Sequence, residues 1–306
     1  MANSIRIYIL VDSEFHFVQC AVPRRPQPVY ESEGNITVSP RIVGGITAQE
    51  GDVRGIVSIQ TIKGNHCCGG TWIRFGNRSQ ILTAAHCIFV DDQLIPESFL
   101  HLLQIMGDDL SISKSSPGPR RQIGKVRKIV PHPQYSPDTL HDDIAMIFLD
   151  KPFKETSTFG SIQVADENVV DNQTCSIAGW GTTAKSIELL IANVSVVPRE
   201  ICNGAHSHDG KVGPHAFCAG SMHGGTDTCQ GDSGGGITRQ NRLVGVVSWG
   251  RGCGRKTFPG IYTNAYEYRD WIEKTIQLEN VSPPITQSTV LMLATVFAAI
   301  FARSIF

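Results

Sequence analysis

The chain has 306 residues, 41% of them hydrophobic, with 30 glycines and 16 prolines: enough for substantial cores in turn-rich β structure and, at roughly 150 residues per domain, for about two domains. Its formal net charge is −1, from 27 Lys+Arg against 28 Asp+Glu, so there is no global basic field and nucleic acid is not an expected partner. Nine cysteines, with Asn-X-Ser/Thr sequons at Asn35, Asn77, Asn172, Asn193 and Asn280, argue against a reducing compartment and for glycosylation during secretory passage.

Residues 1–20 read as an atypical signal peptide. The apolar core at 5–11 is short and is followed by Asp12, Glu14 and His16, while Val18 and Cys20 suit the flanks of a cleavage point. An incorrect or alternative first exon is the competing reading. Residues 21–41 read as a pro-segment, proline-rich between Pro23 and Pro40, which predicts an extended stretch open to proteolysis. Apolar runs at 80–83, 144–149 and 243–247, bounded by Gly, Pro or charged turns, predict buried strands. The cluster Arg120, Arg121, Lys125, Arg127 and Lys128 reads as a solvated loop and strand face, or as an exosite for an acidic partner. A helix is predicted over 266–276, with Tyr268, Trp271, Ile272 and Ile276 on one face. Residues 279–306 are a spacer and hydrophobic tail. Its run at 290–302 falls short of the about 20 residues of a spanning helix. Behind the polar spacer 282–289, with Asn280 or Ser282 as acceptor, it suits a GPI-attachment signal; a marginal membrane or interfacial tail and a trimmed extension are the alternatives.

Gly231, Asp232, Ser233, Gly234 and Gly235, preceded by Cys229 and Gln230, set a serine among glycines. The missing Cβ atoms let a substrate approach, and positive φ angles permit a sharp turn whose N–H groups converge on one point. A serine hydroxyl is a poor nucleophile at neutral pH and needs a base that is itself oriented by a third group. Thr83-Ala84-Ala85-His86-Cys87 and Asp142-Asp143-Ile144-Ala145-Met146 supply those residue types. Singly, His86 has an ordinary reading as a core histidine, Asp143 as a turn residue and Ser233 as a loop hydroxyl.

Taken with Arg41-Ile42-Val43-Gly44-Gly45, Cys68-Gly69-Gly70-Thr71-Trp72, Gly179-Trp180-Gly181, Ser248-Trp249-Gly250 and Pro259-Gly260-Ile261-Tyr262, these segments resemble the trypsin/chymotrypsin family of serine proteases, with its chain order His, Asp, Ser. The resemblance covers about 42–277. It implies an all-β fold of two packed antiparallel six-stranded β-barrels with a C-terminal α-helix: a protease domain at 42–278, barrels at about 42–149 and 163–265, and the active site in the cleft between them. Stretches 89–107 and 182–197 then read as an expanded and a shortened surface loop bordering that cleft.

The resemblance also implies roles. Ser233 attacks a peptide carbonyl to give an acyl-enzyme, His86 moves the proton, Asp143 orients the imidazole, and the N–H groups of Gly231 and Ser233 form an oxyanion hole. Asp227 forms the base of a pocket for Arg or Lys, with Thr228 beside it and Gly250 and Gly260 as walls. Ser248, Trp249 and Gly250 pair with the substrate backbone, and Leu140 lines the next subsite. Arg41–Ile42 is the activation bond of a zymogen, whose new Ile42 ammonium inserts beside Asp232. His66 either matches a position that holds that aspartate before cleavage or is a surface histidine. No cofactor or metal is implied: Pro259 stands where sodium-activated members carry an aromatic residue, and Arg120 and Arg121 lie near Asp108 and Asp109 where a calcium loop would have another carboxylate.

Family pairing would join Cys68 to Cys87, Cys202 to Cys218, and Cys229 to Cys253. Cys20, Cys67 and Cys175 remain, an odd number that requires an unpaired thiol or an intermolecular bridge. Arg239 occupies the place of the usual partner of Cys175. Cys67 reads as a small buried residue or as an accessible free thiol. The protein expected is a secreted or cell-surface serine endopeptidase that acts on protein or peptide substrates and is met by protein protease inhibitors. The alternative is a weak or inactive homologue acting as a binding protein, kept open by Gly236 in place of the usual proline and by the lost Cys175 bridge.

Overall fold

The computed structural model describes residues 42–181 and 187–281. The leader, the pro-segment with Asn35 and Arg41, residues 182–186 and the hydrophobic tail from Ser282 onward lie outside the described residues.

Six strands form a closed ring in the first half: Ile56–Thr61, His66–Phe75, Arg78–Thr83, Leu103–Gly107, Gln122–Pro131 and Ala145–Leu149. Every neighbour is antiparallel, and His66–Phe75 closes the ring by pairing with both Ile56–Thr61 and Arg78–Thr83. Ala145–Leu149 is buried throughout, as a continuous apolar run should be, and so is Ile56–Thr61 although Ser58, Gln60 and Thr61 are polar. The middle of Gln122–Pro131 alternates instead, with Gly124 and Val126 inward and Lys125 and Arg127 in solvent. Inside the ring Val57, Ile59, Ile81, Ile105 and Ile147 surround Trp72, which stacks on Phe159 at 5.1 Å. Each such burial contributes roughly 1.5–3 kcal/mol.

A second ring consists of Thr174–Gly179, Leu190–Val197, Ala216–Gly220, Gly236–Arg239, Arg242–Trp249 and Gly260–Asn264, again antiparallel throughout. Its core gathers Ile177, Val194, Val196, Ile237 and Tyr262, together with Ile42 from the start of the described chain. Between the rings runs the short strand Ile162–Val164, parallel to His66–Phe75 on one side and to Arg242–Trp249 on the other.

Three expectations need correction. The stretch 89–107 is not all loop: after a hairpin whose tip residues Asp91 and Asp92 take positive φ, and a helical turn Glu97–Leu102, it ends in barrel strand Leu103–Gly107 with Leu103, Ile105 and Met106 buried. Leu190–Val197 is likewise strand, with Leu190, Val194, Val196 and Val197 buried. The C-terminal helix, Arg269–Val281, begins after Tyr266, because Asn264 accepts hydrogen bonds from Tyr266 N through its side chain and from Glu267 N through its carbonyl, holding a turn there. No helix among the described residues is long and apolar enough to cross a membrane.

Candidate active site

His86 stands on the helical turn Ala85–Ile88 that leaves strand Arg78–Thr83, and Asp143 lies just ahead of strand Ala145–Leu149. The pairing of Thr83 with Ala145 sets these two strand ends side by side. Asp143 is fully buried; its Oδ1 accepts from the His86 backbone N–H at 2.9 Å and its Oδ2 from His86 Nδ1 at 2.7 Å. Ser248 Oγ donates to the same Oδ2 at 2.5 Å, and Thr263 Oγ1 donates to the Asp143 carbonyl at 2.9 Å. A carboxylate only accepts, so Nδ1 carries the imidazole proton and Nε2 of the neutral ring is left as a base. Burial alone would push the Asp143 carboxyl up, but attraction to the His86 ring when it is protonated and the hydrogen bonds from His86 and Ser248 outweigh it and hold the group below its ordinary value. Neither Ser248 nor Thr263 was legible as a support of Asp143, since the contacts span 105 and 120 positions.

Ser233 sits in the turn between Cys229 and strand Gly236–Arg239. Its carbonyl accepts from Gly69 N of the first ring at 2.8 Å; Gly234 N donates to the Val247 carbonyl, and Val247 N to the Gly235 carbonyl, both at 2.8 Å, which ties the same turn to the second ring. Gly231 has φ +90°, a conformation that glycine alone adopts without strain. No hydrogen bond joins Ser233 Oγ to His86 among the described residues, a looseness common before substrate binds.

Asp232 is 1% exposed, accepting from Gly181 N and Cys229 N, both at 2.9 Å, and burial pushes it up to about 6. A Cβ on Gly179 would collide with Asp232 Oδ1, which gives the Gly179-Trp180-Gly181 motif its physical reason. His66 does not hold Asp232 here, nor is it a surface histidine. Its Nε2 lies 2.8 Å from the Gly231 carbonyl and its Nδ1 2.7 Å from Ser58 Oγ, while Trp180 packs edge-on to the ring. The Asp232 carboxylate takes two backbone amides instead.

A cavity of about 150 Å³ is lined by Ser233 and by all the residues expected to meet substrate: Asp227, Thr228, Ser248, Trp249, Gly250, Gly260 and Leu140. Asp227 is 2% exposed and is pushed up to about 7, mainly by burial, against hydrogen bonds from Gly254 N at 3.0 Å and Thr228 N at 2.8 Å. Among the described residues no cation pairs with Asp227, and it borders the cavity. The wall is as bare as expected: a Cβ on Gly260 would stand 2.7 Å from Asp227 Oδ1. Val43 exchanges two backbone hydrogen bonds with Asp227, 2.9 and 3.3 Å long, so the segment following Arg41 is paired directly with the pocket base.

The bridges Cys68–Cys87, Cys202–Cys218 and Cys229–Cys253 are formed. Cys67 is disulfide-bonded as well, which removes the free-thiol reading, whereas Cys175 is buried with a free thiol and Arg239 pairs with Glu167 at 3.0 Å. Gly236 is explained by packing: a Cβ there would run into Thr71 Oγ1. Arg121 departs from the expected solvated cluster. Its Nε lies 2.7 Å from Asp109 Oδ2, and its two Nη atoms donate to the carbonyls of Ser113 and Ser111 at 2.7 and 2.6 Å, so a guanidinium fills the loop where oxygen ligands would otherwise face a cation. Arg120 pairs with Glu50 and lies 3.7 Å from Asp108. Asn77, Asn172 and Asn193 are exposed, and Asn280 falls in the last turn of the C-terminal helix.

A family model described as Trypsin matches residues 42–272. The chain is 35% identical over 242 residues to Serine protease 1 of Homo sapiens, covering 77% of this chain and 90% of that one. It is 34% identical to Trypsin-3 of Homo sapiens over 242 residues, covering 77% and 73%. Trypsin eta of Drosophila melanogaster is 36% identical over 213 residues, covering 68% and 76%.

Proposed function

The chain belongs to the trypsin family and is a trypsin-like serine endopeptidase; we propose that it is made as a zymogen, is secreted or held at the cell surface, and hydrolyses peptide bonds after Arg or Lys. The observation that carries this reading is the single cavity shared by Ser233 and the buried, cation-seeking Asp227. A substrate Arg or Lys enters that cavity and pairs with Asp227, and the charge-assisted hydrogen bond fixes the following peptide bond over Ser233. His86 Nε2 takes the Ser233 proton as the hydroxyl oxygen attacks, and the imidazolium so formed is stabilised by Asp143, which Ser248 and the His86 amide keep ionised and oriented. The N–H groups of Gly231 and Ser233 receive the oxyanion. His86 then returns the proton to the leaving amine, and water repeats the sequence on the acyl-enzyme.

Cleavage of Arg41–Ile42 frees an ammonium on a residue that belongs to the second core, and in the family resembled that ammonium inserts beside the aspartate at the place of Asp232. A buried carboxylate gains by that pairing, and the pairing holds the turn 231–233. Glycans on the exposed Asn77, Asn172 and Asn193, and a lipid anchor near Asn280 or Ser282, belong to the same proposal. Reaction of the activated protein with a fluorophosphonate probe, followed by a positional-scanning peptide profile, tests it. Labelling of Ser233 and cleavage after Arg and Lys are expected; an unlabelled protein would instead be a binding homologue, and a preference for Phe or Leu would overturn the pocket assignment.

A further inference from the structure

Gln163, in the short strand between the two rings, is the register partner of Arg74 on one side and of Arg242 on the other. Both pairings are parallel, and residues in register across neighbouring strands send their side chains to the same face, so a guanidinium stands on either side of one amide. Arg74 and Gln163 are exposed and Arg242 is half-exposed. Together with Arg54 they line a cavity of about 380 Å³, larger than the about 150 Å³ of the cavity at Asp227 and sharing no residue with it. We propose that this second cavity is a binding site for a segment of a sulfated glycan.

Charge and donor chemistry select that ligand. The lining brings three guanidiniums, those of Arg54, Arg74 and Arg242, against one carboxylate, that of Glu155. Glu155 is already engaged, since its Oε1 accepts from Ser161 N at 3.2 Å and from Ser161 Oγ at 2.8 Å. Arg54 reaches in over Gly160, where a Cβ would stand 2.7 Å from its Nη2. Arg54 and Arg74 act on Glu155 through their charge, yet neither makes an ion pair or a side-chain hydrogen bond among the described residues. Arg242 lies 3.2 Å from Asp166, an exposed pair that water and salt weaken. Each guanidinium offers a planar fork of N–H donors that matches two oxygens of a sulfate. The amides of Gln163, Gln240 and Asn241 add neutral donors and acceptors on the same lining, the groups that sugar hydroxyls need; one inorganic anion would leave them and most of the volume unused. Gln240 and Asn241 both take positive φ in the two-residue turn joining Gly236–Arg239 to Arg242–Trp249, which fixes their place on the rim. The three disulfides suit the oxidising compartments in which sulfated glycans are made and displayed.

The site stands independently of the cleavage specificity proposed above. Its test is calorimetric titration of the folded full chain with a heparin-derived hexasaccharide, beside the same hexasaccharide stripped of sulfate, inorganic sulfate and inorganic phosphate. The sulfated hexasaccharide should bind, more weakly as salt rises, and the other three should bind at least tenfold less tightly. Arg74→Gln and Arg242→Gln should each weaken binding about tenfold while the unfolding midpoint and the hydrolysis of a short peptide stay unchanged. The double variant Lys125→Gln, Arg127→Gln, in the separate basic cluster, should bind as the wild type does. Hydrogen exchange in the wild type should slow at Gln240 and Asn241 when the hexasaccharide is bound, which locates the site without any substitution. No binding, equal binding of the desulfated sugar, inorganic sulfate binding as tightly as the hexasaccharide, or a loss that follows Lys125 and Arg127 instead would each overturn the proposal.

Discussion

His66 Nε2 donates to the Gly231 carbonyl across 2.8 Å, linking strand His66–Phe75 to the turn that carries Ser233. A carbonyl only accepts, so the ring proton is on Nε2, and Nδ1 takes the Ser58 hydroxyl at 2.7 Å, with Gln60 Nε2 donating to Ser58 Oγ at 3.1 Å. Burial lowers His66 from 6.5 to about 4, partly offset by the Gly231 bond, so the ring is neutral at working pH. The folded state therefore disfavours the proton: His66 contributes stability that is full above 6.5 and is lost as pH falls towards 4. Because part of the residue remains accessible, we expect on the order of 2 kcal/mol from this source, less than the full shift would give. His66→Ala should lower kcat about tenfold through a misset Gly231, with a smaller change in KM, and should flatten the acid limb of stability between pH 6.5 and 4. Urea unfolding across that range checks it; an unchanged limb would mean that another group titrates there.

Asp227, raised from 3.8 to about 7 chiefly by burial, predicts a pH-dependent pocket. Its neutral form is favoured in the empty fold, so its contribution to stability is present below pH 3.8 and lost as pH rises through 7. A benzamidinium cation needs the carboxylate, so its affinity should rise up to about tenfold per pH unit between 5 and 7 and level off above. Below pH 7 its binding should release a proton, read as a dependence of calorimetric heat on buffer. Affinity that stays flat from pH 5 to 8 would be incompatible with Asp227 as the cation's partner.

Ser233→Ala and His86→Ala should each reduce turnover to near background, and the double variant should be no worse, because groups that act as one unit do not add. Ser248→Ala should reduce kcat less, about tenfold, by removing one donor from Asp143. Single-turnover kinetics on an ester substrate separate these effects. Full activity in Ser233→Ala would show that some other nucleophile is at work.

Arg121 predicts indifference to calcium. Its guanidinium already satisfies Asp109 and two carbonyls, so chelators and millimolar calcium should leave the unfolding midpoint unchanged. Arg121→Ala should destabilise by about 2–4 kcal/mol, leaving Asp109 largely buried without a cation, and Arg121→Lys should fall between for want of the planar fork. A midpoint that drops on adding EDTA to the wild type would contradict this.

Arg41→Gln should remain uncut and inactive. If cleavage pairs the Ile42 ammonium with Asp232 as proposed, its reference pKa of about 8 should be raised, and activity should decline as pH climbs past the raised value. Equal activity of intact Arg41→Gln and cleaved wild type, with sequencing confirming the uncut chain, would refute the zymogen reading.

Local chemistry made part of this protein legible in advance. Ser233 stands among glycines and His86 after a β-type run, and the structure puts the first in a tight turn and the second just past a strand end, as those contexts encode. The buried strands Ala145–Leu149 and Arg242–Trp249 were visible as apolar runs for the same reason. Contacts between distant positions were not: Ser248 on Asp143 and His66 on Gly231 span 105 and 165 residues, and nothing local marks Ser248 or His66 for those partners. Leu103–Gly107 was lost by comparing loop lengths, although Leu103 and Ile105 alternate as a strand should. Parity of the cysteines left the state of Cys67 undetermined, and nothing local to it marks it as bonded while Cys175 is buried and free.

The three residues Ile162–Val164 pair with Ile73 and Arg74 on one edge and with Arg242 and Leu243 on the other. They splice two closed rings into one continuous hydrogen-bonded fabric. Neither ring can loosen there without breaking pairings that belong to both, so melting should proceed as one cooperative transition, and a calorimetric trace should carry a single peak. Pairings this remote along the chain also close late in folding, so refolding should be slow, on the scale of milliseconds to seconds or longer, and the nucleophile should meet its base only in the final step.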